Sequence, residues 1–320
     1  MGNHRRLILV PQLPIAMRYQ EWWPKAFEEN LKEDFDEVVV LGTQKTVQPD
    51  SISGFSAVDA SIKNELRQVR QYLEMDVTKD DFLFHFDLSF PGIFHSVLFH
   101  HRVARSAVFC HATALNRYDI FQSIRCGKWR SEKTHAGLYD MVLLATKYHK
   151  NKLKLPNALV LGSLPASPES ITPERSPEPR TILYCSVSRP SNQKVDMTVE
   201  HEVRKITGEK IERRKFITWK GYYQFLDRCK FLLITSKEET YGYQVADAIS
   251  RGCIPIAPRA YSYPELLPNE LLYNPDVGPE EKAIQIKWIM EQQKDRQTIE
   301  LVNDNAVKDF WNRLRKVING

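Results

Sequence analysis

Short apolar runs alternate with longer amphipathic segments along the first half of the chain. The first run, LILV at 7–10, has the length of one buried strand, and the segment at 18–32 places Trp23, Phe27 and Leu31 on one helical face. Strands that alternate with helices in this way predict a parallel sheet covered by helices. The predicted strands are 7–10, 38–41, 82–86, 107–110, 141–145 and 158–161, and the predicted helices are 18–32 and 58–75.

A proline-rich stretch separates this half from a second alternating half. Residues 164–180 contain five prolines and no apolar period, which is typical of a linker. We therefore predict a Rossmann-like N-terminal domain at 1–163, a Rossmann-like C-terminal domain at 181–297 and a terminal helical segment at 298–320. The predicted elements of the second half are strands 181–187, 215–218, 231–234 and 253–257, and helices 195–206, 221–229, 243–250, 280–292 and 298–317.

The strand–loop–helix–strand stretch at 231–257 carries two acids, Glu239 in the loop and Asp247 in the helix. The amide groups at the start of this helix belong to Gly242, Tyr243 and Gln244. Such amides and the helix dipole favour a bound phosphate, and nearby carboxylates accept hydrogen bonds from sugar hydroxyls. In open α/β sheets, ligands bind at this end of the strands. The alternative is an ordinary Rossmann-like half whose acids form a cap and a solvated face.

The stretch ETYGYQVADAISRGCIPIA resembles the E-x7-E signature of retaining glycosyltransferases with the GT-B fold, of the family-4 type. Asp247 stands where that family has its second Glu. The resemblance implies that Glu239 contacts the sugar, and Asp247 the ribose, of a nucleoside-diphosphate sugar such as UDP-glucose. It also implies an α/β fold of the GT-B class, with two Rossmann-like domains whose parallel sheets face an interdomain cleft. In this family the last helix commonly crosses back to the first domain.

A basic pair follows the first strand of the second half. The resembling family has Gly-Arg here and a Lys five residues after the Arg; Arg189 and Lys194 keep that spacing, and Ser188 replaces the Gly. The resemblance implies that the two cations neutralise the donor diphosphate and stabilise the leaving group. The alternative is a solvated surface pair. Pro264-Glu265 matches the family's P-E, with a helix-start Pro followed by a first-turn Glu as the alternative.

Three polar residues of the first half lie where a strand ends or a helix begins. His111 and Asp87 follow predicted strands, and Arg18 opens the first predicted helix. The resemblance implies that His111 hydrogen-bonds the donor sugar. We expect Asp87 either to hold an acceptor hydroxyl or to cap the turn before Gly92. Arg18 is the candidate anion contact, in a loop without the glycines that the family has there.

Basic residues interleave with aromatic residues at 117–133 and again at 147–154. Such clusters suit phosphate backbones with stacked bases or sugars, although most charge runs are solvated faces. Trp129 is the candidate stacking residue. The chain's compact size and its RYQEWW segment are also similar to phage-type glycosyltransferases that modify DNA bases. That likeness implies transfer of a sugar to a hydroxymethylated pyrimidine in DNA, with a flipped base near His111 and Asp87.

Composition adds few constraints. An apolar fraction of 42% is typical of a folded protein, and a net charge of +5 permits an anionic partner without requiring one. None of the five cysteines forms a C-x-x-C pair, so we predict buried thiols in a reducing, cytoplasmic setting. No apolar run reaches the roughly 18 residues that indicate a membrane helix. We expect no metal and no cofactor, and interpret Asp34-Phe35-Asp36 as a solvated turn.

The sequence leaves several functions open. The leading interpretation is a retaining hexosyltransferase with a nucleotide sugar as co-substrate and, as its partner, DNA. A glycan or a small metabolite is the alternative acceptor. A GT-B-fold nucleotide-sugar epimerase and a non-catalytic binding protein are the alternatives from other classes. No motif specifies the donor base, the donor sugar or the oligomeric state.

Overall fold

The computed structural model describes residues 4–48, 54–89, 91–99, 105–118, 125–162, 180, 182–185, 195–214, 216–293 and 309–320. The chain forms two compact units. Unit 1 consists of Met1–Ala145, Lys150–Leu161 and Phe310–Gly320, and unit 2 of Thr146–His149 and Gly162–Asp309. Each unit contains a parallel sheet together with helices, which confirms the predicted α/β class.

Strands and helices alternate in both units. The strands of the described residues are β1 (Arg6–Val10), β2 (Glu37–Val40), β3 (Phe82–His85), β4 (Arg105–Phe109), β5 (Met141–Leu144), β6 (Ala158–Val160), β7 (Ile182–Cys185), β8 (Cys229–Leu233), β9 (Ile254–Pro258) and β10 (Leu272–Tyr273). The helices are α1 (Trp23–Leu31), α2 (Gly54–Leu73), α3 (Arg125–Ala136), α4 (Lys147–Leu153), α5 (Met197–Thr207), α6 (Trp219–Asp227), α7 (Tyr243–Ser250), α8 (Tyr263–Leu266), α9 (Pro279–Gln292) and α10 (Phe310–Asn319). Short 3-10 segments lie at Tyr19–Glu21, Phe94–Phe99 and Asn269–Leu271.

Unit 1 is built on a six-stranded parallel sheet in the order β2-β1-β3-β4-β5-β6. The central strand β1 pairs with two neighbours, and Leu7 lies opposite both Val38 and Phe82. Its apolar residues are fully buried, as expected for a strand covered on both faces. The strand bounds differ from the predicted ones by at most two residues, because polar residues such as Arg6 and Arg105 join the backbone ladder without being apolar.

Helix α1 begins later than the sequence predicts. Pro24 lies in its first turn, the only part of a helix that tolerates a missing N–H, and the preceding residues form the 3-10 segment Tyr19–Glu21. The predicted apolar face is confirmed, since Trp23 and Phe27 are buried. The ring centre of Phe27 lies 4.6 Å from that of Phe84 in β3, so this face packs on the sheet.

The terminal helix α10 packs within unit 1. Its Phe310 and Leu314 are fully buried, and Arg315 donates from Nε to Asp34 Oδ2 at 2.9 Å. Arg105 donates to two carbonyl oxygens of the last turn of α10, at 2.8 and 2.9 Å, which satisfies acceptors that a helix end leaves open. The predicted solvated turn is therefore wrong for Asp34, which is an ion-pair partner of this helix.

Unit 2 contains a four-stranded parallel sheet in the order β10-β9-β8-β7. Both strands predicted from the FLLI and IPIA runs are present as β8 and β9. The predicted strand at 215–218 is wrong, because residues 216–218 form no strand. Thr218 instead caps α6, with its Oγ1 accepting the Gly221 N–H at 3.2 Å. Strand propensity at Ile217 and Thr218 is outweighed here by helix capping.

A buried ion pair connects the ends of α6 and α7. Arg251 follows α7 and donates from Nε to Asp227 Oδ1 at 2.8 Å and from Nη2 to Oδ2 at 2.5 Å. Both side chains are almost fully buried. A bidentate pair satisfies the two charges together, whereas removing one partner would leave the other uncompensated. The pair therefore fixes the C-terminal end of α7 against that of α6.

Most of the basic and aromatic residues of the two clusters belong to helices that the sequence does not predict, α3 and α4. Helix α3 is mostly polar and contains Gly127, so it lacks the regular apolar face from which a helix is recognised. Helix α4 is shorter than the segments for which periodicity is informative. Both therefore escape a prediction that depends on apolar periodicity.

Candidate functional site

The loop after β8 in unit 2 carries several of the predicted donor residues. Strands β8 and β9 are parallel neighbours, so their carboxyl ends open at the same edge of the sheet. The loop after β8 carries Glu239 and Gly242 and leads into α7. The loop after β7 contains Ser188, Arg189 and Lys194 and lies outside the described residues, so the roles of these three stay predictions.

The carboxylate of Glu239 closes its own loop. Its Oε1 accepts the backbone N–H groups of Thr240 and Tyr241, both at 2.9 Å. The side chain is partly exposed. A carboxylate that backbone amides hold in place at a sheet edge can still accept a hydrogen bond from a ligand hydroxyl.

Gly242 forms the tight entry to α7. Its φ of 78° is left-handed, and a Cβ at this position would lie 2.2 Å from Cδ1 of Leu266. Glycine is therefore required by both backbone conformation and space. The two aromatic rings that flank it, Tyr241 and Tyr243, stack with centres 4.0 Å apart. Gln244 follows in the first turn of α7, where backbone N–H groups point away from the helix.

Asp247 lies between helices α6 and α7 of unit 2. Its side chain is fully buried, Oδ2 accepts the hydroxyl of Tyr222 at 3.1 Å, and Oδ1 accepts that of Tyr223 at 3.1 Å. Both tyrosines belong to α6. In this arrangement the carboxylate connects two helices, and its contact with a ribose stays a prediction. The sequence could not show the two tyrosine contacts, because helical spacing does not reveal which residues of another helix face Asp247.

The structure agrees with the alternative interpretation of Pro264-Glu265, a helix-start Pro followed by a first-turn Glu. Pro264 and Glu265 lie in the first turn of α8. The two carboxylate oxygens accept the N–H groups of Lys147 and Tyr148, at 2.8 and 2.7 Å, and so cap the first turn of α4.

In unit 1, Asp87 lies at the carboxyl end of the sheet, directly after β3. Its Oδ1 accepts the Ser89 N–H at 2.8 Å, and Gln12 donates to Oδ2. Burial raises the pKa of Asp87 to about 8, the Ser89 amide and Lys128 lower it, and the charge of Glu132 raises it. The structure thus shows the predicted cap and leaves the acceptor contact a prediction.

Two buried glutamates beside Asp87 are functional candidates that sequence reasoning missed. Glu65 of α2 accepts the N–H groups of Gly92 and Phe94, at 3.1 and 3.2 Å, and that of the residue between them. Glu132 of α3 accepts the Ala114 N–H at 2.9 Å and the hydroxyl of Ser89. Each glutamate fixes a loop at the carboxyl edge of the sheet. The available signal was the set of polar residues on the buried face of α2, namely Ser61, Asn64, Glu65 and Gln68.

A buried hydrogen-bond chain lies beneath the same loops. The Tyr139 hydroxyl lies 2.6 Å from Nδ1 of His85 and 2.7 Å from Nδ1 of His95, and His95 Nε2 lies 3.0 Å from the Leu88 carbonyl oxygen. Burial lowers the pKa of His85 to about 3 and that of His95 well below its ordinary value, so both rings are neutral. The chain holds the backbone next to Asp87.

The structure also describes the other three first-half candidates, whose contacts with a ligand stay predictions. His111 donates from Nε2 to the Phe86 carbonyl at 2.9 Å and stacks on Trp23 with ring centres 4.5 Å apart. Trp129 is half-buried and packs against the apolar core of unit 1, and its stacking on an acceptor stays a prediction. Arg18 precedes the 3-10 segment at Tyr19–Glu21, at the predicted helix start.

No sequence-family model matches the chain. Its backbone is nevertheless similar to solved structures over nearly its full length. The sucrose-phosphate synthase of Thermosynechococcus elongatus aligns with a TM-score of 0.62 and 11% identity, over 99% of this chain and 94% of that one. The lipopolysaccharide outer core galactosyltransferase WaaB, in its apo form, aligns with a TM-score of 0.60 and 11% identity, over 98% of this chain and 99% of that one. The α,α-trehalose-phosphate synthase (UDP-forming) of Burkholderia vietnamiensis aligns with a TM-score of 0.55 and 11% identity, over 99% of this chain and 100% of that one. The chain has the GT-B fold.

This GT-B fold confirms the predicted fold class. At 11% identity the likeness establishes the fold and leaves the activity open. Within the described residues no group of three or more His, Cys, Asp or Glu side chains is placed to hold a metal ion. The three cysteines whose side chains the structure describes, Cys110, Cys229 and Cys253, are free and buried. Among the same described residues, no helix combines the length and the apolar character needed to span a bilayer.

Proposed function

We propose that this GT-B protein is a glycosyltransferase that moves a sugar from a nucleoside-diphosphate sugar, of the UDP-glucose kind, to an acceptor hydroxyl with retention of configuration. The observation that carries the proposal is the loop after β8, where Glu239 is held by two backbone amides beside the glycine that opens α7. A fixed carboxylate and helix-start amides at one sheet edge suit the hydroxyls and the phosphates of one ligand. The trehalose-phosphate synthase with a similar fold is described as UDP-forming, which supports this donor class.

In this proposal the residues of unit 2 bind and activate the donor. Glu239 accepts a hydroxyl of the donor sugar. Arg189 and Lys194 neutralise the diphosphate, whose charge grows as the bond between the anomeric carbon and the phosphate oxygen breaks. The acceptor oxygen forms the new bond on the same face of the sugar, and its proton passes to the departing phosphate oxygen. No strong protein base is then required.

For the acceptor we propose the hydroxymethyl group of a modified pyrimidine in DNA. The net charge of +5 and the exposed Arg130 and Lys133 of α3 support a polyanionic acceptor. Two members of the same cluster are used otherwise, since Trp129 packs on the core and Lys128 donates to the Ser89 carbonyl. A glycan or a small metabolite is the competing acceptor.

The test offers labelled UDP-glucose and other nucleotide sugars to the protein with hydroxymethylated DNA, unmodified DNA and simple sugars side by side. We expect label only in hydroxymethylated DNA, with an affinity for DNA that falls steeply as salt rises. The NMR spectrum of the product should show the donor's anomeric configuration. Label in simple sugars alone would replace the DNA acceptor, and an inverted product would refute the retaining mechanism.

Glu239→Gln is the diagnostic variant for the donor site. We expect turnover to fall by at least about 100-fold while the unfolding temperature stays close to that of the wild type, because the amide oxygen can still accept the two backbone hydrogen bonds. Glu238→Gln, one residue earlier in the same loop, is the matched control and should retain activity. Equal effects of the two substitutions would contradict the assignment of Glu239.

A further inference from the structure

Tyr261 adopts a backbone conformation that a side chain normally avoids. Its φ is +60°, and only two other non-glycine residues in the described part of the chain have a positive φ, Met17 and Lys154. Tyr261 is the first central residue of a turn closed by a hydrogen bond from the Tyr263 N–H to the Ala260 carbonyl at 3.3 Å.

The second central residue, Ser262, has a φ of −79° and a ψ of −19°. A positive φ followed by a negative one is the signature of a type II′ turn, in which glycine normally occupies the first central position. Tyr261 therefore carries strain that glycine at the same position would relieve.

The side chain of Tyr261 is more exposed than the two residues that follow it in the turn. Its neighbours Ser262 and Tyr263 are buried and hold the backbone in place, whereas Tyr261 is half-exposed. The ring meets Tyr148 edge-on, with centres 6.0 Å apart and planes at 72°. Residues in strained conformations cluster at ligand sites, where the surrounding fold enforces them. A strained and accessible ring is thus a candidate for contact with a ligand.

The position of Tyr261 connects it to the candidate donor site of unit 2. It follows β9, whose neighbour β8 leads into the loop of Glu239, so both residues lie at the carboxyl edge of one sheet. Both also act on one buried residue: burial raises the pKa of Tyr263 well above its ordinary value, and the charges of Glu239 and, less strongly, Tyr261 raise it further.

We propose that Tyr261 contacts the hexose of the bound nucleotide sugar, with its ring packed on the apolar C–H face of the pyranose while Glu239 accepts a hydroxyl from the polar edge. This inference rests on the proposed function and names a residue that sets specificity for the donor sugar. An aromatic ring offers a large apolar surface to a pyranose at low entropic cost, since few torsions need to be fixed. The backbone conformation fixes the direction in which the Tyr261 side chain leaves the turn, so that the ring is in place before the donor binds.

The test compares UDP-glucose with UDP, two probes that differ by the hexose. Calorimetry gives the affinity of each for the wild type, for Tyr261→Gly, for Tyr261→Asn and for Tyr261→Phe. Glycine and asparagine both accept a positive φ but lack the ring, whereas phenylalanine keeps it. Lys154→Gly is the matched control, since it relieves a positive φ of 50° at an exposed position after α4.

We expect Tyr261→Gly and Tyr261→Asn to weaken UDP-glucose binding about fivefold or more and to leave UDP binding unchanged. Tyr261→Phe and Lys154→Gly should bind both probes as the wild type does. The unfolding temperature of Tyr261→Gly should stay within about 3 °C of that of the wild type, because relief of strain offsets the lost ring contact.

Three results would overturn the inference. Unchanged UDP-glucose affinity in both ring-less variants would exclude contact with the hexose. An equal loss for UDP and UDP-glucose would place the ring against the nucleotide instead. Wild-type protein that binds neither probe would contradict the UDP-sugar donor of the proposed function, and is thereby distinguished from the first two results.

Discussion

Gly242 lies directly against Leu266, so that a Cβ on the glycine would come within 2.2 Å of the leucine Cδ1. The contact joins the entry of α7 to the short helix α8, which follows the neighbouring strand. Glycine at this point lets the backbone of the loop after β8 approach the next loop closely. The candidate donor site depends on that approach, since both loops form one edge of the sheet.

Gly242→Ala tests this contact. The substitution adds a clash with Leu266 to the strain of a left-handed φ, and we expect it to lower the free energy of unfolding by about 3 kcal/mol, measured by urea denaturation. Gly208→Ala is the matched control, because Gly208 has a φ of 72° but no neighbouring atom within 4 Å of the place that a methyl group would occupy. It should cost about 1 kcal/mol. Equal losses in the two variants would contradict a steric role for Leu266.

The two tyrosines that bind Asp247 provide a second prediction. Tyr222→Phe and Tyr223→Phe each remove one hydroxyl from a fully buried carboxylate, so each should lower the free energy of unfolding by about 1.5 kcal/mol. In an Asp247→Asn background the same substitutions should cost less, because the charge that they serve is gone. Losses that are identical in the two backgrounds would show that the hydroxyls do not act through Asp247.

The buried carboxyl group of Asp87 predicts a pH dependence of stability. Its pKa is about 8 in the folded protein and about 3.9 in an unfolded chain, so between these values the native state binds more protons than the unfolded state. Stability contributed by this group is therefore complete below about pH 4 and is lost as pH rises toward about 8, by at most about 1.4 kcal/mol per pH unit.

Asp87→Asn isolates this contribution from those of Glu65, Glu132 and Lys128, which surround it. The difference in unfolding free energy between Asp87→Asn and the wild type should shift in favour of the variant from pH 4 to pH 8 and then become constant. Urea denaturation across that range measures the difference. A difference that does not change with pH would mean that Asp87 titrates alike in the folded and unfolded states.

The buried hydrogen-bond chain through Tyr139 predicts the tautomers of His85 and His95. The Leu88 carbonyl only accepts, so His95 carries its proton on Nε2 and its Nδ1 accepts the Tyr139 O–H. The Tyr139 oxygen is then left to accept from Nδ1–H of His85. Long-range ¹H–¹⁵N NMR should show His95 protonated on Nε2 and His85 on Nδ1.

Tyr139→Phe removes both contacts and should shift the ring ¹⁵N signals of His85 and His95, with those of the exposed His201 unchanged. The opposite tautomer at His95 would contradict the donor and acceptor roles assigned to this hydrogen-bond chain.

Much of the fold follows from local sequence. Continuous apolar runs such as LILV and FLLI are buried on both faces of a sheet and so identify strands wherever they occur. The loop of Glu239 and the glycine that opens α7 were likewise predictable, because a tight strand-to-helix turn needs glycine whatever packs around it. Helix α3 was not, since its contacts with the core come from Trp129 and a few polar side chains and not from an apolar stripe.

The candidate site depends on contacts between elements that are distant in sequence. The sequence of α7 predicts a ligand contact for Asp247, but it does not show that Asp247 accepts hydrogen bonds from two tyrosine hydroxyls of α6. Glu132 lies in a mostly polar segment of the sequence, but in the fold it accepts hydrogen bonds from the loops after β3 and β4. Local periodicity indicates that a residue faces inward; the partner that it meets there is fixed by how helices pack on the sheet. The positive φ of Tyr261 likewise has no signature in the sequence, because the two residues that follow it, Ser262 and Tyr263, are held in the turn by burial.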